Sequence, residues 1–142
     1  MIVTTSRPTG SPGYTETLPR IPESAATARR LVRVAVAVWG LEELAEDGAL
    51  VVSELVSNAV RYARCRSIRV SVARPGAGRV RIGVVDKSVK LPGLREPDGE
   101  DASGRGLLLV AGLAVAWGAD PLPWGKRVWA ELQGKGQDGG GR

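Results

Sequence analysis

The chain has 142 residues, 43% of them hydrophobic, a formal net charge of +5, one cysteine and no histidine. The length suits one domain with its own core, while the missing histidine excludes Ser-His-Asp and Cys-His nucleophilic sites and most zinc sites. Because the lone Cys65 rules out a disulfide framework and no membrane-spanning run or hydrophobic signal region is present, we expect a cytoplasmic protein with no membrane contact.

The first part of the chain predicts an arm, a strand and a helix. Residues 1–13 are rich in Thr, Ser, Gly and Pro and are expected to be disordered. A first strand follows over residues 14–18, at an edge of a sheet. A helix is predicted from Ser24, as its N-cap, to about Trp39, with Gly40 in the position after its end.

The next predicted helix carries a polar pair within an apolar segment. It begins between residues 41 and 46 and ends near residue 63. Glu54 and Asn58 are four residues apart, so their oxygens lie one above the other on one helix face. A carboxamide oxygen can bind Mg²⁺ beside phosphate oxygens. A carboxylate one turn away can orient or deprotonate an attacking hydroxyl.

A hairpin is predicted from residues 67–73 and 79–86, because apolar residues alternate on both sides of a Pro-Gly-Ala-Gly turn. Arg69, Arg79 and Arg81 fall on the sheet face opposite the core. That face is either a solvated surface or a docking surface for an acidic partner. No aromatic residue alternates with these arginines along their strands, which disfavours binding of single-stranded nucleic acid.

The end of this hairpin and the segment after it could form a nucleotide site. Asp86 ends the second strand, where a buried carboxylate can accept a hydrogen bond from the amino group of adenine and reject a guanine carbonyl. Residues 87–103 show no sustained period, as is typical of a lid. Gly104-Arg105-Gly106 then precedes a short helix over 106–112. Glycines let the backbone approach phosphates, whose charge the helix N-terminus favours.

The element order predicts the fold class. Two more strands, 113–118 and 126–132, are joined by a turn rich in proline and glycine, and residues 134–142 are expected to be a flexible tail. The predicted elements follow the order helix, helix, hairpin, loop, helix, hairpin. This order favours an α+β two-layer sandwich. We predict this domain over residues 14–133, with a mixed, mostly antiparallel sheet and the helices on one face.

Several segments together resemble the motifs of a known family. They are similar to the successive motifs of the anti-sigma-factor serine/threonine kinases, small bacterial regulators with the histidine-kinase-like (GHKL or Bergerat) ATPase fold, here of the actinobacterial type. The similarity extends over about residues 18–132. The segments that carry it are 54–63, 85–88, 91–92, 104–110, 116–118 and 125–129.

The resemblance implies ATP and Mg²⁺ as cofactors and a kinase activity on serine or threonine. Its implied partners are a sigma factor and a small anti-sigma-factor antagonist, and it suggests a homodimer. Two positions depart from the family pattern: Tyr62 stands where histidine is often found, and Arg127 where a threonine near the adenine pocket is common. The implied site residues are Glu54 as catalytic base, Asn58 as magnesium ligand, Asp86 for adenine, and Gly104, Arg105 and Gly106 for the phosphates.

Two other functions remain open from the sequence. One keeps the nucleotide site but not the chemistry, as a catalytically weak, nucleotide-responsive protein-binding module in transcription regulation. The other is a basic nucleic-acid-binding domain without a nucleotide site, which would bind DNA in a salt-sensitive way. The kinase hypothesis involves no direct contact with nucleic acid.

Overall fold

The structure, a computed structural model, describes residues 3–6, 12–63, 65–87 and 102–134. A short 3₁₀ turn, Glu42–Leu44, immediately precedes the second α-helix. The helices and strands of the described residues are, in chain order, β1 (Val3–Ser6), β2 (Pro12–Pro19), α1 (Ser24–Val38), α2 (Ala45–Tyr62), β3 (Ser67–Gly76), β4 (Arg79–Asp86), α3 (Ala102–Leu113), β5 (Ala116–Leu122) and β6 (Gly125–Gln133).

The strands form one six-stranded sheet in the order β1-β2-β3-β4-β6-β5, and each pairing is antiparallel. The helices cover one face of this sheet and share a single apolar core with it. A Cβ placed at Gly48 of α2 would touch Val32 of α1 on one side and Ile82 of β4 on the other. Helix α2 therefore packs closely against both α1 and the sheet. The predicted α+β two-layer sandwich is confirmed, and the described sheet is antiparallel throughout, not mixed as predicted.

Period-two alternation decides which side chains enter the core. On β4 and β6 every second residue is buried against the helices, while the residues between them point to the open face. Asp86 and Lys126 have the parity of the apolar core residues, so both face the helix layer. The apolar residues of the two strands in this buried set are Val80, Ile82, Val84, Val128, Ala130 and Leu132.

The predicted end of α1 is confirmed. Gly40 adopts a φ of 72°, a left-handed conformation that glycine takes without steric cost. The Leu41 N–H donates to the Val36 carbonyl at 2.7 Å and the Gly40 N–H to the Ala37 carbonyl at 3.1 Å, which is the Schellman pattern. The first helix thus ends where its sequence predicted.

The start of α1 differs from the prediction. Ser24 is the first helical residue and Glu23 occupies the N-cap position, so Ser24 is not the N-cap. The Ser24 hydroxyl instead donates to the Pro19 carbonyl at 2.6 Å, tying the helix to the end of β2. Ser24 therefore does mark the start of the helix, but its hydroxyl bonds to the preceding strand and not to the helix amides.

Three further boundaries are corrected. Val3–Ser6 pairs with β2, so the first part of the predicted disordered arm is a strand and β2 is not at the sheet edge. Helix α3 begins at Ala102, before Gly104 and not after it. Strand β5 begins at Ala116, because its pairing with β6 is set by the two-residue turn at 123–124.

The rest of the predicted lid and tail cannot be compared with the structure, since residues 88–101 and 135–142 lie outside the described residues. No helix in the described part of the chain combines the length and the apolarity needed to span a bilayer.

Substitution of Gly48 by Ala should destabilise the protein. The added Cβ would lie 2.8 Å from Cγ1 of Val32, which is fully buried. Overpacking costs about 1–3 kcal/mol, against a gain of at most about 1 kcal/mol in helix propensity. We expect urea denaturation to give a free energy of unfolding lower by about 1 kcal/mol.

Gly112→Ala on α3 is the matched control, since nothing lies within 4 Å of a Cβ at that position. It should be neutral or slightly stabilising. If Gly48→Ala were as stable as the wild type, the close packing of α2 against α1 would be contradicted.

Candidate active site

The predicted site residues on α2 and β4 lie at one end of the sandwich. Helix α2 ends at Tyr62, and β3 begins only a few residues later. Arg69 near the start of β3 pairs with Val85 near the end of β4. The last turns of α2, the end of β4 and the start of β6 therefore meet at the same end.

Arg20 fixes the junction between α2 and β3. Its guanidinium donates to the Cys65 carbonyl at 2.5 Å and to the Val60 carbonyl at 2.8 Å. Val60 is one of the last residues of α2, whose carbonyls lack partners within the helix. A cation there also suits the negative end of the helix dipole. Arg20 thus caps the helix that carries the polar pair.

Asn58 is buried, with 5% of its surface exposed, and its side-chain nitrogen Nδ2 has no hydrogen-bond partner among the described residues. Buried polar groups are nearly always satisfied, so an orphaned amide indicates a ligand or a water. Rotation of the amide by 180° would bring Oδ1 to the position of Nδ2, so the same site can offer an oxygen to a cation. Glu54 lies one turn earlier and is half-buried, so its carboxylate can reach solvent.

Asp86 is buried in an ion pair that the sequence analysis did not predict. Nζ of Lys126 lies 3.2 Å from Oδ1 and 3.1 Å from Oδ2 of Asp86, and both side chains are only 1% exposed. The two residues are direct partners in the β4–β6 ladder. In the sequence, Asp86 ends one predicted strand and Lys126 begins another. That these two residues pair could be predicted only from the register of the strands.

Arg127 does not lie beside Asp86. It has the opposite parity on β6, on the open face, where Nη2 contacts Oδ2 of Asp120 at 3.4 Å. The position at which the family often has a threonine thus faces the open side of the sheet here, because the strand period turns Arg127 outward and brings Lys126 inward. The side chain of Tyr62, the other departure from the family pattern, lies outside the described part of the chain.

Gly104, Arg105 and Gly106 lie in the first turns of α3 and not in a loop before it. Just after α3, the Val115 N–H donates to the Glu131 carbonyl at 2.8 Å, far along β6 from Lys126. Since α3 also packs against α2 and ends far from Lys126, we expect its N-terminus on the side of the sandwich that holds Asp86. The first amides of a helix lack intrahelical partners and suit an anion.

A metal at this end would need ligands from a bound molecule. The described residues contain no group of three His, Cys, Asp or Glu side chains able to hold an ion. Mg²⁺ commonly keeps several waters and takes one or two protein oxygens together with phosphate oxygens. One orphaned amide at Asn58 fits that manner of binding, and it does not fit a metal held by protein ligands alone.

The open face of the sheet is charged and largely paired. Arg79 and Arg81 both contact the Glu131 carboxylate, at 3.0 and 2.8 Å. The Arg81 guanidinium also stacks on the Trp129 ring, 4.4 Å from its centroid. An aromatic residue therefore does lie beside these arginines. It belongs to the neighbouring strand β6, so the sequence of their own strands did not predict it.

A cleft of about 470 Å³ opens at the Asp86 end of the sheet. Most of its lining side chains have the parity of the open face, so the sheet separates this cleft from Asn58. Asp86 is the residue that this cleft shares with the polar cluster on the helix side. Its lining residues are Thr17, Ser67, Ile68, Arg69, Val85, Asp86, Lys87 and Trp124.

Comparison with known families gives one match. The sequence model of the histidine kinase-like ATPase domain matches residues 18–129, which include Asn58, Asp86 and Lys126. The match covers most of the chain, from the end of β2 into β6. No curated protein shows significant similarity to it.

Breaking the buried ion pair should destabilise the fold strongly. Either Asp86→Leu or Lys126→Met would leave one buried charge without its partner, at a cost of about 3–5 kcal/mol. The double variant removes both charges and should cost much less than the sum of the two. Urea denaturation of the four proteins measures this coupling. Strictly additive losses would mean that the two groups do not interact.

Proposed function

Because the chain belongs to the histidine kinase-like ATPase domain family, we propose that it binds ATP with Mg²⁺ and acts as a protein serine/threonine kinase that regulates a sigma factor. The observation that supports this most is the buried, unsatisfied amide of Asn58 at the same end of the sandwich as Asp86. An amide left without a partner inside the core is destabilising unless a ligand completes it. We expect that ligand to be a magnesium-bound nucleotide.

Each polar group at this end has a distinct part in nucleotide binding. Asp86 accepts from the amino group of the base. Asn58 holds Mg²⁺, which neutralises the phosphates when it is bound. The N-terminal turns of α3, with Gly104, Arg105 and Gly106, receive the phosphates because unpaired helix amides and a guanidinium both favour anions.

Glu54 is the group we propose for proton transfer. A serine or threonine hydroxyl attacks the γ-phosphorus, the bond to the bridging oxygen breaks, ADP leaves and the hydroxyl proton passes to the Glu54 carboxylate. Two observations support this role: Glu54 lies one turn from Asn58, the proposed magnesium ligand, and it is partly exposed, as contact with a protein substrate requires. Most of the rate enhancement in such a transfer comes from positioning and charge stabilisation.

The proposed substrate is a small antagonist protein, and the proposed binding partner is a sigma factor. This part rests on the resemblance of the successive sequence motifs to the anti-sigma-factor kinases. A nucleotide-responsive binding module without turnover is the alternative, and it shares the ATP and Mg²⁺ site. Transfer of phosphate to an antagonist distinguishes the two.

Asn58→Ala should abolish magnesium-dependent nucleotide binding with little loss of stability. The Asn58 nitrogen makes no hydrogen bond with the residues that the structure describes, so its removal breaks none of those present there. We expect calorimetric titration with ATP and Mg²⁺ to show affinity reduced at least tenfold, while the free energy of unfolding changes by about 1 kcal/mol or less.

The exposed neighbour Ser57→Ala serves as the control and should bind like the wild type. Unchanged magnesium-dependent binding in Asn58→Ala would remove the main support for the site. Failure of the folded wild-type protein to bind ATP would contradict the proposed function itself.

Glu54→Gln should separate binding from chemistry. The amide keeps the shape of the side chain but cannot take a proton, so ATP binding should stay while phosphate transfer falls by about 10²–10⁴-fold. Transfer of labelled phosphate from ATP to an antagonist protein gives the rate, and titration gives the affinity.

The surface carboxylate Glu46→Gln, on the same helix, is the matched control. If Glu54→Gln reduced binding as much as turnover, the proton-transfer role would lose its support.

A further inference from the structure

Stability alone does not explain why the ion pair between Asp86 and Lys126 is buried. Both side chains are 1% exposed, so both charges have been removed from water. Such a pair often contributes no more stability than apolar residues of similar volume would. The pair lies at the end of β4 and the start of β6, the same end of the sandwich as the unsatisfied Asn58 amide, and this location favours a role in binding.

The ammonium group has hydrogen-bonding capacity beyond its contacts with Asp86. A lysine ammonium has three N–H donors, and a carboxylate offers about four acceptor positions. The contacts of Lys126 with Oδ1 and Oδ2 engage at most two of those donors. One donor therefore remains next to the carboxylate oxygens.

We infer that Lys126 is a second base-reading residue, which presents a donor beside the Asp86 acceptor and so admits 6-oxopurine nucleotides as well as ATP. This inference rests on the proposed nucleotide binding. It also changes the expectation from sequence that Asp86 alone would reject a carbonyl at the six-position of the base.

Adjacent donor and acceptor groups match both kinds of purine. Adenine presents a donor in its 6-amino group and an acceptor at N1. Hypoxanthine presents the reverse order, an acceptor at O6 and a donor at N1. Because Nζ of Lys126 lies almost equally far from the two Asp86 oxygens, at 3.2 and 3.1 Å, the pair can meet either order after a small rotation of the base in its plane.

Without Lys126 the site could still form a hydrogen bond with the 6-amino group of adenine but no longer one with the O6 carbonyl of hypoxanthine. The 6-amino group of adenine still donates to Asp86. The O6 carbonyl of hypoxanthine would lose its donor and face a carboxylate oxygen, and an unpaired polar group in a buried site is strongly disfavoured. Lys126 therefore changes the ratio of the affinities for the hypoxanthine and adenine nucleotides, and not only the strength with which each is bound.

The test is the ratio of dissociation constants for ITP and ATP, measured by calorimetric titration with Mg²⁺ on the full chain. ITP differs from ATP only at the six-position and N1. We expect the wild type to bind ITP within about tenfold of ATP, and Lys126→Met to raise the ratio by roughly another tenfold.

Lys126→Gln is the matched control. Glutamine and methionine are similar in length and both leave Asp86 without its cation, but only glutamine keeps an N–H donor. We expect the ratio in Lys126→Gln to stay close to that of the wild type. A general loss of structure would weaken both nucleotides together and leave the ratio unchanged.

Two outcomes would overturn the inference: a wild type that binds ATP but not ITP, or a ratio unchanged in a Lys126→Met variant that still binds ATP. The wild-type arm needs no substitution, so an unstable variant does not prevent the test. A wild type that binds neither nucleotide would contradict the proposed function as well.

Discussion

The alternation of side chains along β4 and β6 is the constraint on which the rest of this structure depends. The two strands pair with Asp86 opposite Lys126, and from that pair onward every second residue enters the core. A slip of one residue would send Arg127 into the helix layer and turn Lys126 outward. Core, ion pair and open face are thus set by one register, because a pleated strand presents its residues to two faces in turn.

The candidate site forms where the apolar core ends. Toward the middle of the sandwich, the buried contacts among α1, α2 and the sheet are mainly between aliphatic side chains. At the Asp86 end, an amide and a buried ion pair replace them. Polar groups in such positions oppose stability unless they are fully satisfied. Natural proteins accept that cost chiefly at functional sites, so this end of the molecule is the natural place for a ligand.

Local patterns predicted much of the fold. The helical spacing of apolar residues located α1 and α2, Gly40 marked the end of α1, and alternation located the β3–β4 hairpin. The same reasoning placed Glu54 and Asn58 on one helix. It failed for β1, which has few residues and is held by its neighbour β2, and for the start of α3. Glycines such as Gly104 predict a helix boundary because of their low helix propensity, although packing of the helix against α2 can offset that cost.

The sequence by itself determined the elements, the fold class and the residue types of the candidate site, since these depend on contacts within a few residues of each other. Only the tertiary structure decided which of two neighbours on β6 joins Asp86. Lys126 is 40 residues from Asp86 along the chain and Arg127 follows it directly, so the choice between them depends on strand register alone. Pairing register depends on the whole sheet and on the layer that covers it, and no local pattern contains it.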